Sequence, residues 1–250
     1  MEQKRNNSWV SALIIGLCVV ASCTALAYGL AHFKSDTAHT IAATGSASVD
    51  FESDIIIWRG SFSATAYTSK DAYKRIKKDA GMVEDYLKDN GLDEDEIVFS
   101  SVDIRQNYKD NYDENGNYIG SQADGYTLTQ SVTITSSDID GVEMISRDIS
   151  RLLDSGVEFT SESPEYYYSD LDALKLDLIN KASANAKERI DIMASNAGAV
   201  PDKLKTSSLG VFQITAKNSG TGSYSYDGAF DNSSRNKTAS ITVRLEYDLK

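Results

Sequence analysis

The chain opens with an uninterrupted apolar run and then changes to shorter segments with a helix or strand period. From Ser8 to Phe33 no residue is Asp, Glu, Lys or Arg. About 20 residues at a rise of 1.5 Å each cross the hydrocarbon core of a bilayer, so this run predicts one transmembrane helix over 9–33. Two basic residues precede the run, and the positive-inside rule then predicts residues 1–8 in the cytoplasm and the following chain outside it.

The same run permits a second interpretation, which depends on Cys23. The sequence VASC that ends at Cys23 has the form of a lipoprotein cleavage box and predicts a possible lipidation site there. The apolar character continues past Cys23 to Phe33, which favours an uncleaved anchor. Cleavage as a lipoprotein and simple secretion stay open as alternatives. All three place the body outside the cytoplasm, in the periplasm or at the cell surface.

After a polar stalk predicted at 34–40, three amphipathic helical patterns interrupt the strand patterns of the body, 41–250. Apolar residues recur at spacings of three and four in each helical pattern, and the third is the longest. Polar caps predict where the helices begin: at Ser69, at Ser137 or Asp138, and at Ser169.

The strand patterns complete the order ββ-α-ββ-α-β-α-ββ. Clustered strands with interspersed helices predict an α+β fold. We expect a largely antiparallel sheet with two shorter helices and one long helix, preceded by the single N-terminal transmembrane helix. Asn115 and Gly116 predict a tight hairpin turn. A segment rich in Gly, Ser, Asn and Tyr predicts a long loop over 218–236.

The composition of the chain limits the partners and the kinds of catalytic or metal site that we expect. The net charge is −12, and an acidic body repels phosphate backbones, so nucleic acid is excluded as a partner. The two cysteines lie in the apolar run, and His32 and His39 precede the body. Catalysis by Ser-His-Asp or Cys-His groups is therefore excluded in the body, as are histidine zinc sites. We predict no enzyme and no cofactor; a hydrolase that uses paired carboxylates is the disfavoured alternative.

One weak metal signal remains in the turn of the predicted hairpin. Asn111, Asp113 and Asn115, followed by Gly116, match the start of a calcium-binding loop. The position that should supply a bidentate Glu is Gln122, and no helices flank the segment. A plain hairpin is therefore the favoured interpretation.

The 218–236 loop offers a candidate contact surface. Tyr224, Tyr226 and Phe230 would present aromatic rings to a partner or a glycan. The alternative is a flexible surface loop without a binding role.

Five stretches, in this order, resemble the SIMPL-domain family, also called DUF541. They are TGSASVDFESDIIIWRGSFSATAYTSKDAYKR, NGLDEDEIVFSSVDI, GYTLTQSVTIT, SPEYYYSDLDALKLDLINKASANAKERIDIMASNAG and KTASITVRLEYDL. WRGSF and GVFQI are similar to the membrane-anchored branch of the family, which favours retention of the anchor. The resemblance implies an exported α+β protein without an established enzymatic activity or catalytic motif. It also implies links to stress tolerance and, in some members, ring-like oligomers.

The leading hypothesis is a membrane-anchored, extracytoplasmic SIMPL-domain protein that acts as a non-enzymatic scaffold or as an envelope or stress-related interaction module. We expect it to contact the membrane through its N-terminal helix and to form homo-oligomers. A cell-envelope component is the expected further partner. The alternative is an envelope glycan- or peptide-binding protein that uses the 218–236 loop.

Overall fold

The structure, a computed structural model, describes residues 8–35, 39–219, 225 and 228–250. The chain divides into two compact units. Unit 1 comprises Met1–Gly45, Ala186–Ser208 and Arg244–Lys250, and unit 2 comprises Ser46–Asn185 and Leu209–Val243.

The described residues form four α-helices and ten β-strands. The helices are α1 (Ser8–Ser35), α2 (Ser69–Asp89), α3 (Ile139–Asp148) and α4 (Leu171–Asn196), with short 3-10 helices at Glu94–Glu96 and Ile149–Ser155. The strands are β1 (Thr40–Glu52), β2 (Ile55–Ala66), β3 (Ile97–Phe99), β4 (Asp103–Tyr112), β5 (Tyr118–Ser136), β6 (Phe159–Ser161), β7 (Glu165–Tyr167), β8 (Pro201–Leu209), β9 (Gln213–Ala216) and β10 (Asn236–Leu249). The predicted α+β class is confirmed, and the element order agrees broadly with the predicted one.

The N-terminal apolar run forms the helix α1. Its span Ala12–Leu30 has 19 residues, a mean hydropathy of 2.2 and no burial. The helix is therefore long and apolar enough to cross a membrane, although a signal sequence meets the same criteria. Most of the predicted cytoplasmic segment, residues 1–7, and residues 36–38 of the predicted stalk lie outside the described residues.

The core of unit 2 lies under an antiparallel sheet. The strand order is β3-β5-β2-β6, with β4 also paired to β5 and β7 also paired to β2. The helices α2 and α3 pack against β2 and β5, because each helix has one apolar face that burial removes from water. Buried side chains of these elements include Trp58, Phe62, Ile76, Val83, Leu128, Val132, Val142 and Ile145.

Two of the predicted helix caps are wrong by one residue. Thr68, not Ser69, caps α2: its hydroxyl oxygen accepts a hydrogen bond from the backbone N–H of Asp71 at 3.1 Å. The backbone of Thr68 is still extended, so it is the residue whose side chain can reach the free N–H groups of the first turn.

At α4, Asp170 accepts from the backbone N–H of Ala173 at 3.3 Å. The predicted cap, Ser169, uses its hydroxyl and its N–H to contact Asp54 instead. The third prediction is confirmed, because Asp138 accepts from the backbone N–H of Gly141 at 3.0 Å and caps α3.

A second sheet has the strand order β1-β10-β8, with β9 also paired to β10. Three predicted strands are each divided in this fold, the first into β3 and β4, the second into β6 and β7, and the third into β8 and β9. At the break between β8 and β9, Gly210 donates its N–H to the Thr242 carbonyl at 2.8 Å. A Cβ on Gly210 would come within 2.1 Å of the Thr242 hydroxyl oxygen, so only glycine fits at this crossing without displacement.

Gly60 and Gly81 provide a matched test of the core of unit 2. A Cβ at Gly60 on β2 would lie 2.2 Å from the Phe159 ring, whereas a Cβ at Gly81 in α2 meets nothing within 4 Å. We expect Gly60→Ala to lower the free energy of unfolding by about 1–3 kcal/mol through overpacking. We expect Gly81→Ala to raise it by about 0.5–1 kcal/mol, because alanine is the better helix former. Denaturant unfolding followed by tryptophan fluorescence checks both; an equal effect of the two changes would contradict this packing.

Candidate functional site

A polar groove lies on the surface of unit 2, beside the segment predicted as a binding loop. Its volume is about 570 Å³. Hydroxyl side chains line much of it, and Val211 and Ile241 add apolar surface. The lining residues are Ser46, Ala47, Ser48, Val211, Gln213, Ser225, Ser240, Ile241 and Thr242. Because none of these residues is charged, the groove suits a neutral ligand with its own hydroxyl or amide groups.

Gln213 fixes one wall of this groove. Its side chain is buried, and its amide nitrogen donates to the Ser225 carbonyl at 2.6 Å. Its amide oxygen accepts from the backbone N–H of Ala229 at 2.6 Å and from that of Ser225 at 3.3 Å. The described part of the 218–236 loop is thus held against β9 by a side chain whose polar atoms are satisfied inside the protein.

Phe230 lies in the same segment but is only partly free. It forms a parallel bridge with Ile214, and 52% of the residue is exposed. Its ring lies 6.5 Å from the Tyr167 ring and 5.7 Å from the Lys237 ammonium nitrogen. One face therefore contributes to packing while the rest stays accessible. The other two predicted contact residues, Tyr224 and Tyr226, lie outside the described residues.

The buried cation Lys237 occupies the start of β10. The residue is 1% exposed, and its ammonium donates to the backbone carbonyl of Tyr166. Burial lowers the pKa of Lys237, and the carboxylate of Asp231 opposes that shift. A lysine enclosed by a carbonyl and an aromatic face has the contacts that a buried cation needs, so its role here is structural.

Glu165 connects the same segment to the first sheet. Its carboxylate accepts from Arg59 at 2.8 Å, from the Tyr167 hydroxyl at 3.1 Å and from the Asn232 side-chain amide at 3.0 Å. The Arg59 guanidinium is the largest cause that holds the pKa of Glu165 below its ordinary value. With three donors directed at one carboxylate, this cluster orders the chain where these segments meet.

The β4–β5 hairpin carries a row of exposed apolar side chains. Those that are more than half exposed are Ile104, Tyr108, Tyr112, Tyr118 and Ile119. The rings of Tyr112 and Tyr118 pack edge to face at the tip, with 6.0 Å between their centroids. Among the described strands, β4 pairs with β5 alone, so its other edge faces solvent. Exposed apolar side chains beside an unpaired strand edge are features that protein interaction surfaces share.

The predicted calcium ligands lie at the tip of this hairpin. One Asp113 carboxylate oxygen accepts from the backbone N–H groups of Asn115 and Asn117 at 2.9 and 2.8 Å. The other accepts from the Asn117 side chain at 3.0 Å. The backbone N–H of Asn117 is the largest cause that lowers the pKa of Asp113. This carboxylate closes the turn, and Asn111 lies within β4 opposite Gly120; calcium binding stays a prediction.

The described residues offer no further side-chain arrangement for metal binding. No group of three or more His, Cys, Asp or Glu side chains there is placed to hold a metal ion. Cys23 is exposed on α1, and its lipidation stays a prediction. His39 is exposed immediately before β1 and is not among the residues that line the groove.

The comparison with protein families identifies the class. A family model described as "SIMPL: Protein of unknown function (DUF541)" matches residues 41–247. The chain therefore belongs to the SIMPL family, as its sequence pattern predicts. This is a family of unknown function and not a known enzyme family. No match was found among curated proteins.

Sequence reasoning missed Gln213, Glu165 and Lys237. A signal for Lys237 exists in β10, where it precedes Ala239, Ile241, Val243 and Leu245 at a spacing of two. A lysine in line with the buried face of a strand indicates an enclosed cation. No comparable signal marks Gln213 or Glu165, because their partners lie in segments distant along the chain.

Lys237→Met tests the buried cation through pH. Because the folded pKa lies below the ordinary lysine value of 10.5, the cost of enclosing the charge is fully present at neutral pH. As pH rises through the folded pKa toward 10.5, the folded state loses the proton first and its free energy of unfolding rises. We expect Lys237→Met to abolish this rise in chemical unfolding, whereas the exposed control Lys217→Met should retain it. Equal pH slopes for wild type and Lys237→Met would contradict the assignment.

Proposed function

We propose that this protein is a membrane-anchored, extracytoplasmic SIMPL-domain protein that acts as a non-enzymatic interaction module and assembles with its own copies. The membrane anchor is α1, whose span Ala12–Leu30 is apolar and exposed. The cell membrane is the site of action, with the body on the extracytoplasmic side. The exposed β4–β5 hairpin is the observation that carries the proposal, since it combines apolar side chains with an unpaired backbone edge.

The charges of β4 support a second copy as the partner. Two β4 strands related by a two-fold axis pair antiparallel, and residues opposite one another share a face of the sheet. The register that opposes Asp103 to Lys109 also opposes Ile104 to Tyr108. Because the two copies are equivalent, this register supplies two ion pairs and two apolar pairs. Cross-strand pairs of both kinds stabilise a sheet.

Light scattering of the full chain in mild detergent tests the assembly. We expect a discrete oligomer for the wild type and a lower mass for Ile104→Ser combined with Tyr108→Ser, because these changes remove the exposed apolar side chains of β4 that the pairing would bury. The matched control is Tyr67→Ser combined with Leu153→Ser, which removes exposed apolar side chains elsewhere in unit 2. A wild-type chain that remains monomeric as concentration rises would refute self-assembly.

The register has its own test. Asp103→Lys should weaken the oligomer through repulsion from Lys109, and the added Lys109→Asp change should restore it. Failure of the second change to rescue, with the wild type still oligomeric, would reject this register and keep assembly.

The groove favours a second candidate function, binding of an envelope glycan or peptide. Its uncharged, hydroxyl-rich lining matches the hydrogen-bonding groups of such ligands, and Ser225 brings the 218–236 loop to its wall. Tyr224 and Tyr226 flank Ser225 in the sequence and would supply aromatic contact area. Sugar and peptide ligands are both bound by such combinations of polar groups and rings.

Ser48→Trp tests the groove by filling it. We expect this change to abolish binding of N-acetylglucosamine oligomers or of a neutral alanine-glycine peptide, measured by calorimetry on the full chain. Ser207→Trp, at an exposed position of β8, is the control and should bind as the wild type does. No heat of binding for either probe with the wild type would remove this candidate.

A further inference from the structure

The connection between α1 and β1 is short. The helix ends at Ser35, and the carbonyl of His39 already accepts a hydrogen bond from the backbone N–H of Leu249 at 2.8 Å. Four residues span at most about 14 Å even when fully extended. The five residues from Leu30 to Ser35 rise about 7.5 Å, close to the thickness of one headgroup layer. If α1 crosses the membrane, the His39 end of unit 1 is therefore tethered beside its surface.

The end of β10, the start of β8 and the end of α4 meet at this end of unit 1. The backbone N–H of Lys250 donates to the Val200 carbonyl at 3.0 Å, one residue beyond the bond that holds His39. Because neighbouring strands lie about 4.8 Å apart, Val200 is roughly 10 Å from His39. The helix α4 also ends here: the N–H of Ala199 bonds to the Ala194 carbonyl at 2.9 Å.

Apolar side chains are exposed at the same end. Val200 is 59% exposed, Ile192 54% and Met193 42%. Met193 precedes the last residue of α4 by three positions, about 4.5 Å along the axis. Ile192 and Met193 line a groove of about 430 Å³ with Ala42, Ala43, Thr44 and Arg189. An apolar groove with one cation at its side matches the chemistry of lipid chains below a phosphate layer.

Charge is divided unequally between the two units. Unit 1 has nine basic residues (Lys4, Arg5, Lys34, Lys187, Arg189, Lys203, Lys205, Arg244 and Lys250) and seven acidic ones (Glu2, Asp36, Glu188, Asp191, Asp202, Glu246 and Asp248). Its net charge is thus +2, and unit 2 carries −14 of the total −12. Without Glu2, Lys4 and Arg5, which the proposed anchor leaves on the other side of the membrane, seven basic and six acidic residues give unit 1 a net charge of +1. A negatively charged lipid surface repels unit 2 and admits unit 1.

We propose that the end of unit 1 formed by Ile192, Met193 and Val200 docks on the lipid headgroups of the membrane that α1 crosses. This inference rests on the proposed membrane anchoring. The short connection between α1 and β1 favours the membrane as the partner of this surface. Because at most about 14 Å of chain separates α1 from His39, the membrane is always within reach. Docking removes exposed apolar area from water and orients unit 1 on the bilayer.

Depth-dependent fluorescence quenching tests the docking on the full chain. In a Cys18→Ser, Cys23→Ser background, single changes Met193→Cys and Val200→Cys receive an environment-sensitive NBD label. The protein is reconstituted into phosphatidylcholine vesicles with lipids that carry a nitroxide near the headgroup. We expect a blue shift and loss of most of the NBD emission at both positions. A label at Ser207→Cys, an exposed position of β8 in the same unit and about 23 Å along the strand from Val200, should lose little emission.

A label at Leu26→Cys, within α1, separates the two ways in which the test can fail. Quenching at Leu26 without quenching at Met193 or Val200 would overturn docking and leave membrane anchoring intact. No quenching at any position would show that α1 does not insert, and the proposed anchoring would fall with the docking. Vesicles with added phosphatidylglycerol should retain quenching at Met193, because the charge of unit 1 is close to neutral.

Discussion

The enclosed ammonium of Lys237 determines where the segment before β10 can lie in unit 2. An unpaired cation inside a protein is costly, so the Tyr166 carbonyl and the Phe230 ring must stay beside it. These two contacts place the segment before β10 between β7 and β9. Gln213 and Glu165 then hold the remaining polar groups of that segment. Because these contacts hold the segment before β10 in place, it can form a wall of the groove.

The parts of the structure that sequence reasoning predicted are those encoded locally. The apolar length of α1, the helical periods of α2 and α3, and the Asp138 cap each depend on residues within one continuous segment of the chain. The missed features depend on pairs far apart, such as Trp58 with Ser161 or Glu165 with Asn232. Patterns along a single sequence carry no information on such partners. The predicted cap of α4 was wrong for the same reason. Ser169 contacts Asp54, which lies far from it along the chain, and so does not cap the helix.

Predictions of the candidate sites likewise succeeded where the features are local in sequence and failed where they depend on distant residues. Asn115 and Gly116 predicted the hairpin, but its exposed apolar row became evident only when both strands were paired. Phe230 was found from composition, whereas its packing on Tyr167 and Lys237 required the fold. The resulting picture is of a protein with distinct surfaces: an apolar helix, a nearly neutral unit 1, and an acidic unit 2 with the hairpin and the groove. Each surface offers contacts that another component could use, and the family to which the chain belongs is described as one of unknown function.

Retention of α1 is the claim on which anchoring and membrane docking depend. Intact-mass analysis of the protein extracted from cell membranes tests it directly. The account predicts a membrane-bound chain whose mass includes the whole span Ala12–Leu30 and carries no lipid. A diacylated product that begins at Cys23, or a shortened chain recovered from the soluble fraction, would contradict it.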